Sequence, residues 1–123
     1  MVTEAEFSNT IQKLPDYMIE RLVDYINVGH KFIYRSLGSG KGEGCVLGIA
    51  GQVCDDYYWK QTPKILNLRT ELYSKHKWEP RSSVIITEFN DENYNKPILY
   101  QLILAEAERR GMKPKLEMEK VIA

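Results

Sequence analysis

The sequence predicts a mainly α single domain of about five helices. Apolar residues recur at three- and four-residue spacing through most of the chain. Prolines and glycines fall where those runs begin and end. The 123 residues fit one compact domain, which buries about two-thirds of its unfolded surface and so needs no metal or disulfide to fold.

Taken in order, Thr3-Glu4-Ala5-Glu6 reads as a capping box. Phe7, Ile11 and Leu14 continue it as a short first helix. Pro15 ends that helix and opens a second, in which Met18, Ile19, Leu22, Val23 and Ile26 form one stripe and Gly29 supplies a left-handed stop. His30 to Leu37 reads equally as a strand or a helical turn. Four alternating glycines, Gly38 to Gly44, lead into an apolar segment, Cys45 to Tyr58. This reads as a packed central helix with Gly48 as a close-contact position. Thr62-Pro63 is a helix start, with Ile65, Leu68, Leu72 and His76 on the buried side as far as about Lys77. "SSVIITEF" is β-branched, which favours a strand over 82–88 and an α+β alternative; Ser82 or Ser83 could equally cap a short helix. "NDENYN" reads as a loop. Pro97 opens the last long helix, with Arg109 and Arg110 in its final turn and Gly111 as its stop. No repeat or linker divides residues 1–123, so they read as one domain.

Seventeen basic residues balance seventeen acidic ones. That balance argues against charge-driven binding to nucleic acid or to an anionic membrane. No apolar run approaches the roughly 18 residues of a spanning helix. The acidic, polar start MVTEAEFSNT is not a secretory signal, so the expected location is cytoplasmic. If one helix carries both Cys45 and Cys54, they lie ~13 Å apart along its axis on opposite faces, beyond the reach of a disulfide. Neither has zinc-ligand spacing, and no cofactor or metal is implied.

The glycine-rich stretch invites a phosphate-loop reading, but both ends fail. Aligned on Gly40-Lys41, Arg35 stands at the first glycine and Gly42 at the hydroxyl position. Cys45, at a helix start, invites a nucleophile reading, because a helix N-terminus favours the thiolate. Cys45, His76 and Asn90 occur in the order of a cysteine hydrolase of the papain kind. The plainer reading puts Cys45 in the core as a small apolar residue. Asp55, Asp56, Tyr57, Tyr58 and Trp59 form an acidic-aromatic run that fits a contact surface. Asn90 and Asp91, flanked by Glu88 and Glu92, fit either side-chain capping or a small binding pocket, with capping favoured. His30 and His76 read as structural.

"GEGCVLGIAG", a helix, "SVIITEFND" and a long amphipathic helix together resemble a family of small bacterial proteins, common in actinobacteria, to which no activity is assigned. Its members carry a Cys-Ala-Leu-Gly-Ala-like segment and a later Trp-Asn-Asp motif. Cys45, Leu47 and Gly48 match the first, and Asn90 and Asp91 the second, with Phe89 in place of the tryptophan. The resemblance covers about Leu14 to Arg110 and implies a mainly helical fold with "SSVIITEF" as a helical turn. The expectation is a non-enzymatic binding protein, such as a host or phage accessory factor, with a protein partner or else a small ligand. The alternative is the cysteine hydrolase.

Overall fold

The Glu6 N–H donates to the Thr3 hydroxyl at 3.1 Å, and the Thr3 N–H to the Glu6 carboxylate at 3.0 Å. This reciprocal cap starts α1 (Glu4–Ile11) as the sequence predicts. The computed structural model describes residues 1–39, 42–52 and 58–112, and only the backbone along 58–63. Among them the chain is mainly helical. α2 (Asp16–Asn27), α3 (Val46–Ala50), α4 (Tyr58–Lys75), α5 (Pro80–Asn93) and α6 (Pro97–Arg109) follow α1.

Burial explains the arrangement. α1 and α2 each turn an apolar stripe inward, and Phe7, Ile11, Met18, Ile19, Leu22 and Ile26 are all buried. α2 packs on α3 and α6, α1 on α5 and α6, and α3 and α6 on α5. The Phe7 and Phe89 rings stack at 4.4 Å between α1 and α5. Gly29 and Gly111 take positive φ values of 89° and 82° just past α2 and α6, the stops expected of them. α4 attaches through the side chains of Leu68 and Leu72, both buried.

Three expectations are corrected, and one open alternative is decided for helix. The central helix does not run from Cys45 to Tyr58; α3 stops at Ala50, with Gly51 as its C-cap and Gln52 left-handed at φ 57°. Cys54 lies outside the described residues, and the one-helix geometry used for the cysteine pair does not hold. α4 begins at Tyr58, four residues ahead of Thr62, and Pro63 falls within it. Residues 82–88 are helical: Pro80 stands at the first position of α5 and the Ser82 hydroxyl accepts from the Glu79 N–H at 3.2 Å. Ser82, Ile86, Phe89 and Asn90 then share one buried face at helical spacing, which outweighs β propensity. Finally, Asn90 to Asn93 form the last turn of α5 rather than a loop.

Candidate functional site

The segment from His30 to Cys45 joins α2 to α3. Its described residues include no helix or strand, so its backbone groups need partners from elsewhere. Three bonds join its own arms: the Ile33 N–H donates to the Gly44 carbonyl at 3.1 Å, the Ser39 N–H to the Glu43 carbonyl at 2.9 Å and the Cys45 N–H to the Ser36 carbonyl at 2.8 Å. Others come from side chains. The Tyr25 hydroxyl donates to the Lys31 carbonyl at 2.6 Å and accepts from the Gly44 N–H at 3.3 Å. The Tyr100 hydroxyl accepts from the Phe32 N–H at 2.9 Å and donates to the Tyr94 carbonyl at 3.1 Å. The Phe32 ring lies between those two tyrosine rings, 5.1 and 5.2 Å from them.

Asn90 and Asp91 complete the set. Asn90 is fully buried. Its amide oxygen accepts from the Val46 N–H at 3.0 Å, and its amide nitrogen donates to the Ile33 carbonyl at 2.9 Å. The N-cap of α3 is Cys45, whose side chain makes no capping bond. Asn90 therefore caps α3 from another helix. The Asp91 carboxylate accepts from the Arg35 N–H at 2.9 Å, where Arg35 is left-handed at φ 50°. The segment from Cys45 to Gly48 and Asn90 thus meet in space, through the Asn90 side chain on the Val46 backbone.

Gly48 lies at the same junction. A Cβ placed there would fall 1.7 Å from the Leu37 carbonyl oxygen and 2.5 Å from its carbon, so only glycine lets the loop backbone lie against α3. The sequence predicted this close approach; the neighbour is the loop rather than another helix.

The Cys45 thiol is buried, with 3 % of its surface exposed. Burial pushes its pKa up and the Asp91 charge adds to that, against the pull of the Leu47 and Gly48 N–H groups. A nucleophile needs the opposite shift. His76 follows the end of α4, half-buried, and makes no hydrogen bond to Cys45 among the described residues. Asn90, third in the hydrolase order, has both ends of its amide engaged by backbone.

Of the predicted contact run, Asp55, Asp56 and Tyr57 lie outside the described residues, as do Gly40 and Lys41 of the glycine stretch. Tyr58 and Trp59 form the first turn of α4. Further along α4, Ile65, Leu68 and Leu72 face inward as predicted, and with Leu37 and Leu47 they line a cleft of about 190 Å³. Arg69 and Ser83 stand on its wall. On the outer face Leu66 is 56 % exposed and Tyr73 36 % exposed, with the Arg69 guanidinium 5.8 Å from the Tyr73 ring centroid. Sequence reasoning missed this face. Its signal was there: Leu66, Arg69 and Tyr73 at i, i+3 and i+7 form a stripe beside the buried one, with Arg69 at its edge toward the cleft.

No three His, Cys, Asp or Glu side chains converge as a metal site among the described residues, and none of the helices searched is long and apolar enough to cross a membrane. No family model, curated protein or solved structure matches the chain.

Proposed function

We propose that this chain is a non-enzymatic cytoplasmic binding factor, of the host or phage accessory kind, that contacts a protein partner through the outer face of α4 and the acidic-aromatic run Asp55–Trp59 leading into it. The observation that carries this is the exposure of Leu66 and Tyr73 on one side of α4, with Arg69 between them. Tyrosine and arginine are enriched among interface hot spots. The tyrosines and tryptophan of the preceding run extend the same composition along the chain. The likeness to the small bacterial family fits this reading, since its two motifs are used here to build the scaffold.

The cysteine hydrolase is less well supported, because burial raises the Cys45 thiol pKa and Asn90 is committed to Val46 and Ile33.

The test is capture of partners from cells of the native organism by the tagged wild-type chain and by the double variant Leu66→Glu/Tyr73→Glu. The expected result is a partner held by the wild type and reduced at least tenfold by the variant, with an unchanged melting curve, as loss of one or two hot spots implies. Equal capture by both proteins contradicts the assignment of this face.

A further inference from the structure

We infer that the cleft between α3, α4 and α5 is a binding site for a small apolar monocarboxylate, with the tail held by the leucines and the carboxylate held by Arg69 and Ser83. The inference goes beyond the protein-contact reading and does not depend on it.

Three observations carry it. The cleft measures about 190 Å³, and five of the seven described residues that line it are Leu or Ile. A dry apolar cavity of ~150 Å³ is enough to take up benzene, so this volume holds a tail of about six to eight heavy atoms. Next, the Arg69 guanidinium on its wall has no carboxylate partner among the described residues and stands 5.8 Å from the Tyr73 ring centroid. Last, the Ser83 hydroxyl accepts from the Trp78 indole N–H at 2.9 Å, which fixes its oxygen and leaves its O–H free to donate. Two donors, one of them charged, at the wall of an otherwise apolar cleft select an anionic acceptor with a hydrocarbon tail. A neutral alcohol would fill the same leucines but could not pair with the arginine. A phosphate or a dicarboxylate would bring more charge than one guanidinium matches.

Hexanoate and 1-hexanol, matched in carbon number with the longer alkyl tail on the alcohol, separate the two halves of the site. Each is titrated into the purified full chain at constant ionic strength, with backbone amide shifts as the readout. Hexanoate is expected to give saturable shifts centred on Leu47, Leu72 and Ser83, and to bind about tenfold more tightly than hexanol, the scale of one charge-assisted hydrogen bond. Arg69→Gln, an exposed change that leaves the melting curve in place, is expected to abolish that preference while hexanol affinity stays the same. Failure of hexanoate to saturate, shifts centred elsewhere, or an unchanged preference in Arg69→Gln would each overturn the assignment. Leu47→Phe, which fills the cleft, is expected to weaken both probes, and undiminished binding in that variant also overturns it.

Discussion

Asn90 commits both ends of its amide to backbone groups far away in sequence, 44 residues off at Val46 and 57 at Ile33. Its removal leaves a buried N–H and a part-buried carbonyl without partners. Asn90→Ala should therefore cost about 2–4 kcal/mol in a denaturant melt, one to two such penalties. A solvated binding residue would cost next to nothing. Gly48→Ala should cost about 3 kcal/mol, the upper end for overpacking, because the obstacle to its Cβ is the Leu37 backbone rather than a side chain that can turn away. An unchanged melt for Gly48→Ala would mean that the loop does not lie on α3. Cys45 should label slowly in the native protein, and its raised pKa has a stability consequence. The folded thiol holds its proton to higher pH than the unfolded one, so the contribution is whole below the unfolded pKa and fades as pH rises toward the folded value. A Cys45→Ala chain should lack that alkaline decline. At this scale the sequence was legible in kind but not in partner. That Asn90 and Asp91 cap something follows from their short polar side chains; that they cap α3 and the loop depends on a contact between distant segments, which local spacing does not contain.

At the scale of elements, α1, α2 and α6 were readable because their caps, prolines and apolar stripes agree with one another. α3 was misjudged in length, since Gly48 and Gly51 pointed to a packed helix without saying where it stops. α5 was ambiguous because β-branched residues and helical periodicity disagreed, and burial of the helical face decided. The ends of α1 and α6 are joined by a polar tie that sequence spacing alone did not predict. Arg110 donates to the Ile11 and Gln12 carbonyls at 3.2 and 3.1 Å and to Asp16 at 3.0 Å, and it pairs with the buried Glu106 at 2.6 Å. Burial raises the Glu106 pKa, but hydrogen bonds from Arg109 and Arg110 outweigh it and hold the carboxyl below its usual range. Stability from this group is therefore whole above the ordinary carboxylate pKa and is lost as pH falls through the depressed folded value. Glu106→Gln should flatten the acid limb of the stability curve, and an unaltered acid limb would show that the tie does not form. Arg110→Met should cost about 3 kcal/mol, as when one partner of a buried pair is removed.

Across the whole molecule, helices α1, α2, α3, α5 and α6 form the packed body, and α4 lies against it through one stripe with its other face open. The motif residues that looked most chemical serve the body, where they hold the α2–α3 loop in place of a strand or helix. The face and the cleft proposed for binding lie on and beside α4. Amide hydrogen exchange tests this division most directly, because the Phe32, Gly44 and Val46 N–H groups are held by Tyr100, Tyr25 and Asn90 side chains rather than by a helix of their own. The expected result is that all three exchange as slowly as the core amides of α2, and that Asn90→Ala speeds Val46 by about the factor by which it lowers stability. Exchange of Val46 at the rate of an unfolded peptide in the wild-type protein, or no change on Asn90→Ala, would contradict an architectural role for the pair and return Asn90 and Asp91 to the list of functional candidates.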